Sequence, residues 1–376
     1  MLYCHINKNF KLLVIALAIG HQSASAQITE NFSWPLNSFS MEFVRVGNPG
    51  NLPNTTWGTW RAIPFQIIQG GAVGYTYDIA KYEVSRIMVA KVNAESFAAI
   101  NMQDLSGLGG NGLNRPATGL NWYDAAKFVN ELNLAQGYRP AYKFRVGDAV
   151  PILYQWELGD IGYNAANPLR NSTAKYAIAS SDEWYKAAFY SPSKAAYNKY
   201  PQPDDGLGDP PPPTPIDGAV WGGAVYGGQI GPADVNNAGV LSAYGTMGQG
   251  GNAYEWTESG GRVEGGWWGS AVGTFDLDLG HWEFEYANGV SVPKWVFGDP
   301  ITRYAIDLDY RVAQETSDTL LQLGGLELDL SDKTYATGFR VVSLNVPLTG
   351  GIPEPSALSL LAIGLGGLAM MRLRRS

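Results

Sequence analysis

The chain of 376 residues contains one cysteine, Cys4, and three histidines. Cys4 and two of the histidines lie within residues 1–26, so residues 27–352 retain His281 alone. Without a thiol, this part of the chain excludes cysteine nucleophiles, disulfide bonds and cysteine-based zinc sites. A single imidazole excludes metal sites that need two histidines, and it allows a Ser-His-Asp triad only through His281.

Charged residues are also scarce, at 16% of the chain, and acidic residues outnumber basic ones. If both termini are processed, five basic residues and one acidic residue leave with them, so the net charge changes from −8 to −12. Such a body is not expected to bind nucleic acid or anionic lipid. The 46 glycines, 12 tryptophans and 21 tyrosines predict a loop-rich, aromatic extracellular fold rather than disorder.

Residues 1–26 have the parts of a secretory signal peptide. Lys8 and Lys11 supply positive charge, residues 12–20 are apolar, and residues 24–26 (Ala-Ser-Ala) fit the small-residue cleavage pattern. An apolar run of this length is too short to span a bilayer, which argues against a membrane helix. We therefore expect the protein to be exported.

Residues 352–376 combine a Pro353-Glu354-Pro355 triplet, an apolar run at 357–371 and a terminal arginine cluster. In this order the elements resemble the PEP-CTERM sorting signal of Gram-negative bacteria. The resemblance implies a short transmembrane helix that holds the chain transiently in the inner membrane. It also implies removal of the tail by an exosortase and delivery to the cell surface or the extracellular matrix. An ordinary C-terminal anchor is the alternative.

Between the termini, the residue pattern predicts few helices. An apolar periodicity allows a helix within 85–101, and a clear amphipathic pattern predicts one at 124–134. A third helix is predicted to begin after Ser180, because Glu183 lies at the spacing that completes a capping box.

The remaining segments predict short extended pieces joined by turns. Residues 27–40 look like a polar lead, 41–46 alternate like a strand, and 337–343 read as a closing strand. Residues 201–232 contain four consecutive prolines and many glycines, which predicts a long surface loop. A few helices within a mostly extended, turn-rich chain indicate an α+β fold in a single domain.

Six segments carry a family resemblance, and they occur in this order: 77–85, 115–126, 179–188, 244–256, 265–268 and 338–340. They resemble motifs of the formylglycine-generating-enzyme/sulfatase-modifying-factor domain; for example, Gly338-Phe339-Arg340 is similar to its terminal G-F-R. The resemblance covers residues 41–346. It implies a C-type-lectin-like fold with little regular secondary structure, and it leaves the activity open.

The family's enzyme holds copper with two cysteines that precede the last strand, and the resemblance places Asp307 and Val312 at those positions. Copper(I) requires soft thiolates, which residues 27–352 lack entirely. Iron-dependent relatives of the family need several histidines. We therefore expect no enzyme of either type, and no bound copper, iron or zinc.

A carboxylate-based hydrolase is the remaining enzymatic alternative. Acidic side chains surround His281, namely Asp276, Asp278, Glu283 and Glu285. Their spacing selects no acid–base pair, and alternating acids are more typical of a solvated strand face.

The segment at 251–256 is the candidate metal site. The resemblance implies calcium bound by the carbonyls of Gly251 and Ala253 and by the side chain of Glu255, and oxygen ligands suit a hard cation. The family's upstream ligand falls on Gly248, which has no side chain. The alternative is that Glu255 and its neighbours tie a buried turn together.

The function expected from these observations is that of an exported, surface-sorted and catalytically silent binding protein. Extracellular polysaccharide is the expected ligand class, because the sorting signal is typical of exopolysaccharide-producing bacteria. Exposed aromatic rings can stack on sugars, and in a strand the Trp267-Trp268 pair would send one ring to each side. A structural matrix protein without a specific ligand is the alternative.

Overall fold

The computed structural model of the protein describes twelve ranges of the chain. The described residues are 27–54, 70–95, 99–144, 153–198, 200–202, 219–220, 231–258, 263–265, 268, 281–287, 290–296 and 336–346. Of residues 263, 281–287 and 290–296 it describes the backbone. The predicted signal peptide at 1–26 and the predicted tail at 352–376 lie outside these ranges.

Three α-helices are present in the described ranges: α1 (Arg86–Glu95), α2 (Trp122–Ala135) and α3 (Ser181–Phe189). Capping boxes begin two of them. In α3, Ser180 Oγ accepts the Glu183 N–H at 3.2 Å, and Glu183 Oε2 accepts the Ser180 N–H at 2.7 Å. The capping box predicted at Ser180 is therefore confirmed, and each box satisfies amide groups that the first turn leaves without helical partners.

The strands are short, apart from two hairpins. In chain order they are β1 (Gln27–Ser33), β2 (Ser38–Val46), β3 (Tyr77–Ala80), β4 (Lys143–Phe144), β5 (Leu153–Tyr154), β6 (Tyr176–Ile178), β7 (Tyr190–Ser191), β8 (Ala196–Tyr197), β9 (Tyr254–Trp256), β10 (Val263–Glu264), β11 (His281–Ala287), β12 (Val290–Val296), β13 (Thr337–Phe339) and β14 (Val341–Ser343). Few helices combined with mainly antiparallel sheets make this an α+β fold in one domain, as the sequence predicts.

The main sheet has five antiparallel strands in the order β1-β2-β3-β14-β6. Its first strand corrects the prediction of a polar lead at 27–40. Strand β1 pairs with β2 along its whole length, from Gln27 opposite Val44 to Ser33 opposite Ser38. The sequence signal is weak there because β1 is an edge strand in which only Phe32 is buried.

The predicted closing strand is divided between two sheets. Strand β13 runs parallel to β9 in a three-stranded sheet, β10-β9-β13, whereas β14 belongs to the main sheet. Arg340 stands between the two strands and is completely buried. The chain therefore passes from one sheet to the other at a charged residue, which must find buried partners there.

The main sheet is covered on both faces. Side chains alternate along β2, so that Phe43 joins an apolar cluster with Phe128 of α2, while Val44 joins a second cluster with Trp184 of α3. Buried apolar side chains therefore occur on both sides of β2, while Arg45 near its end stays exposed. Among the described residues, none of the helices is both long enough and apolar enough to cross a bilayer.

The predicted surface loop at 201–232 is described only at 201–202, 219–220 and 231–232. The six described residues, Pro201, Gln202, Ala219, Val220, Gly231 and Pro232, are all buried, which corrects the prediction for these positions. Val220 shows why: its carbonyl accepts the Asn252 N–H at 2.8 Å. Val220 is thus tied to the 251–256 segment, the candidate metal site.

Candidate functional site

The candidate metal segment leads into a buried ionic cluster that we call the Arg340 cluster, formed by Glu83, Glu255 and Arg340. Arg340 lies 2.7 Å (Nη2) and 3.0 Å (Nε) from the two carboxylate oxygens of Glu255, and both side chains are fully buried. Trp184 Nε1 donates a further hydrogen bond to Glu255 Oε2 at 2.8 Å. Three donors therefore surround the Glu255 carboxylate.

Arg340 also satisfies the backbone around it. Its Nη1 donates to the Ala80 carbonyl at 2.9 Å, and its Nη2 donates to the Met247 carbonyl at 2.7 Å. The guanidinium thus connects the end of β3, the loop before β9 and the junction of β13 with β14. A planar fork of five N–H donors suits this task better than an ammonium group would.

The third member of the cluster, Glu83, was not predicted as a site residue. It is 1% exposed, and Asn252 Nδ2 donates to its two carboxylate oxygens at 3.1 and 2.9 Å. Burial raises the pKa of Glu83 well above its ordinary value, and the charge of Glu255 raises it further. The signal available was its place in the 77–85 segment, but a lone glutamate at the end of a strand indicates no partner.

Gly248 explains how Glu83 fits. The backbone of Gly248 has φ of +86°, and a Cβ added there would lie 2.9 Å from Glu83 Oε2. In the sequence, Gly248 weakens the predicted calcium site because it has no side chain. In the structure, the carboxylate of Glu83 occupies the space that a side chain at 248 would take. An acidic group is therefore present at this point, supplied from a distant part of the chain.

Two of the three predicted calcium ligands already have partners. The Gly251 carbonyl accepts the Ala253 N–H at 2.9 Å, and Glu255 is paired with Arg340. Calcium at Gly251, Ala253 and Glu255 stays a prediction, with the condition that Glu255 must release Arg340 to bind it. Within the described ranges, no group of three or more His, Cys, Asp and Glu side chains is placed to hold a metal ion.

A second ionic cluster, the Arg170 cluster, consists of Arg170, Glu183 and Glu258. Arg170 makes two parallel contacts with Glu183, at 3.0 and 2.9 Å, and its Nε lies 2.5 Å from Glu258 Oε2. All three side chains are less than one-tenth exposed. Each buried charge is therefore paired and hydrogen-bonded, as a low-dielectric environment requires.

The electrostatics of the Arg170 cluster favour its charged state. Burial alone would raise the pKa of Glu183, but the charge and hydrogen bonds of Arg170 outweigh it and leave that pKa below its ordinary value. Burial likewise opposes the charge on Arg170, but the two carboxylates raise its pKa well above the usual range. The cluster holds one excess negative charge.

Three neutral side chains complete the Arg170 cluster. Tyr142 Oη donates to Glu258 Oε2 at 2.8 Å, Asn167 Nδ2 donates to Glu258 Oε1 at 2.6 Å, and Tyr75 Oη donates to Glu183 Oε1 at 2.7 Å. Of all the residues in the Arg170 cluster, the sequence singled out only Glu183, as part of the capping box. The others lie in irregular loops, where no spacing reveals a partner.

The other predicted site residues are only partly described. Asp276, Asp278, Asp307, Val312 and Trp267 lie outside the described residues. His281, Glu283 and Glu285 lie on β11, which pairs with β12 in a hairpin. The structure describes the backbone of these three residues but not their side chains. Trp268 is buried, at 6% exposure.

Comparisons with known protein families and with the curated proteins give no match for this chain. Among solved structures, Treponema denticola variable protein 1 is similar at 16% identity and a TM-score of 0.43, over 85% of this chain and 99% of that one. CarF is similar at 17% identity and a TM-score of 0.44, over 81% and 98%. PvdO from Pseudomonas aeruginosa is similar at 15% identity and a TM-score of 0.43, over 81% and 94%. Similarity at this level indicates neither a shared function nor a shared ligand.

Proposed function

We propose that this chain is an exported, surface-sorted and catalytically silent binding protein with a C-type-lectin-like, formylglycine-generating-enzyme-like domain, and that it binds extracellular polysaccharide. Its signal peptide at 1–26 directs export. Its tail at 352–376 holds it transiently in the inner membrane until an exosortase removes the tail. The mature protein then resides at the cell surface or in the extracellular matrix.

The observation that supports the domain assignment is the composition of the Arg340 cluster. Its three members and the donor Trp184 come from segments that are far apart in the chain and that resemble the family separately. These are Glu83 from 77–85, Trp184 from 179–188, Glu255 from 244–256 and Arg340 from 338–340. Motifs that share one buried network are what a single domain of that family requires.

Catalytic silence follows from the residue types. Residues 27–352 contain no thiol to hold copper and one imidazole, too few for the iron-dependent relatives. The two ionic clusters do not supply an alternative acid–base pair. Glu255 faces Arg340, and Glu183 and Glu258 face Arg170. The fourth carboxyl, Glu83, is buried against Asn252 and is only 1% exposed. A carboxylate that is already neutralised by a buried arginine is a poor nucleophile and a poor base.

Polysaccharide binding is tested with the full-length chain, purified in a detergent that carries no sugar headgroup. Binding to dextran, mannan and a cellulose-derived glucan is measured by isothermal titration, with alginate as the anionic comparison, first with calcium and then with EDTA. We expect saturable binding to a neutral polysaccharide and none to alginate, because the body carries a net charge of −12.

The outcomes separate the alternatives. Saturable binding that EDTA abolishes would support calcium at Glu255, whereas binding that is indifferent to EDTA would remove calcium from the mechanism. Release of reducing sugar would identify a hydrolase instead. No binding to any polysaccharide would contradict the proposal and favour a structural matrix role. Mass spectrometry of the protein from a host that contains an exosortase tests whether the tail is cut after residue 352.

A further inference from the structure

One aromatic ring stands out on the described surface. The exposed large apolar side chains include Leu, Ile and a single aromatic residue, Tyr75, which is 47% exposed. Among the residues whose side chains are described, the other aromatic residues are buried or partly buried. An isolated exposed leucine needs no explanation, but a large exposed ring is a candidate contact surface for a ligand.

Tyr75 is held in place rather than free to rotate. Its hydroxyl donates to Glu183 Oε1 at 2.7 Å, and its ring meets the ring of Tyr77 edge-on, with centroids 6.0 Å apart. Burial of the hydroxyl and the charge of Glu183 both raise the pKa of Tyr75, so that it remains a neutral phenol. A ring fixed in this way loses little conformational entropy when a ligand binds.

A polar side chain reaches the same cluster at the surface. Asn167 is partly exposed, and its amide donates one hydrogen to Glu258 Oε1 at 2.6 Å. Arg170 contacts both Glu183 and Glu258, so Tyr75 and Asn167 are connected through one guanidinium and two carboxylates. The electrostatic influence of Glu258 on Tyr75 agrees with this proximity.

We propose that Tyr75 and Asn167 form a subsite for one sugar ring of an uncharged polysaccharide; this inference rests on the proposed function. The C–H face of the sugar packs on the Tyr75 ring, and the second amide hydrogen of Asn167 donates to a sugar hydroxyl. The buried carboxylates below give the patch an excess negative charge, which favours a neutral, hydroxyl-rich ligand over an anionic one.

The test compares three variants by isothermal titration with the neutral polysaccharide that binds the wild-type chain. Tyr75→Ala should raise Kd by about tenfold, as expected for loss of an aromatic anchor. Tyr75→Phe keeps the ring and should bind more tightly than Tyr75→Ala. Tyr82→Ala removes a partly exposed tyrosine whose ring lies beside Lys81, and it should leave Kd unchanged.

Hydroxyl-radical footprinting of the wild-type chain tests the subsite without a substitution that could unfold the protein. Saturating polysaccharide should protect Tyr75 from oxidation while Tyr82 stays reactive. Wild-type binding with an unchanged Kd for Tyr75→Ala, or with equal protection of the two tyrosines, overturns the subsite and leaves the proposed function standing. A wild-type chain that binds no polysaccharide overturns both.

Discussion

The carboxylate of Glu83 lies directly against the backbone of Gly248, in the space that a side chain at position 248 would need. A Cβ there would lie 2.9 Å from Oε2 and 3.1 Å from the carboxyl carbon of Glu83. Glycine is therefore favoured at 248 for two reasons: its φ of +86°, and a buried, hydrogen-bonded acid that would have to move to admit a Cβ.

The two reasons can be separated with a matched glycine. Gly110 has φ of +98°, but no atom lies within 4 Å of an added Cβ. Gly110→Ala should cost about 1–2 kcal/mol from backbone strain alone. Gly248→Ala should cost about 1–3 kcal/mol more because of the clash. Urea unfolding measures both, and equal costs would show that Glu83 does not fill this space.

The Arg340–Glu255 pair should be essential for stability. Arg340→Met leaves Glu255 buried without its cation and should lower the free energy of unfolding by about 3–5 kcal/mol. The exposed pair of Arg45 with Asp78, at 2.8 Å, is the control, and Arg45→Ala should cost about 0–1 kcal/mol. Similar losses for the two variants in urea unfolding would refute a dominant role for the buried pair.

Glu83 should make stability depend on pH. Because its pKa is raised in the folded state, folding takes up a proton, and the stability from this group falls as pH rises from the unfolded value of about 4.3 to the folded value. Glu83→Gln cannot titrate, so the stability of this variant relative to wild type should rise across that window. Urea unfolding at several pH values measures the difference, and parallel curves would contradict the raised pKa.

Lys186 is a second buried group whose shifted pKa should make stability depend on pH. It is fully buried on α3, its Nζ donates to the Asn48 carbonyl at 2.8 Å, and burial lowers its pKa to about 8. The folded state therefore releases a proton near pH 8, whereas the unfolded chain holds it to about 10.4. Stability from Lys186 should rise between these values.

Lys186→Met isolates this contribution. Both proteins share the tyrosines that titrate at high pH, so only the difference between their unfolding free energies reports on Lys186. The unfolding free energy of the variant minus that of wild type should decrease from pH 8 to 10. A difference that stays constant would mean that Lys186 titrates near its ordinary value in the folded protein.

Calcium should have little effect on the thermal stability of the protein as long as Glu255 keeps its pairing with Arg340. Glu255 accepts from Arg340 and Trp184, so binding a cation there would first require these hydrogen bonds to break. We expect an unchanged Tm when calcium replaces EDTA, measured by circular dichroism. A saturable rise in Tm that Glu255→Gln abolishes would instead establish calcium at this site.

Features whose causes lie within a few residues could be read from the sequence. The capping box of Ser180 and Glu183 spans three positions, so the start of α3 was predicted correctly. The apolar face of α2 has helical periodicity, and the structure extends that helix only slightly, to Trp122–Ala135. Residue counts alone exclude thiol chemistry from residues 27–352, whatever the fold.

The edge strand β1 shows where local signals fail. Its side chains are mostly polar and exposed, so residues 27–33 resemble a loop until β2 supplies the backbone partners. The hydrogen bonds that make it a strand belong to the pair and not to the segment.

The ionic clusters depend on tertiary structure entirely. Arg340 meets Glu255 across 85 positions, Arg170 meets Glu258 across 88, and Asn252 meets Glu83 across 169. Physical chemistry requires any buried charge to be paired, because burying an unpaired charge in a medium of low dielectric constant costs too much free energy. Which residues pair is decided by the sheet order and the loops, since contacts at these separations leave no periodic trace in the sequence.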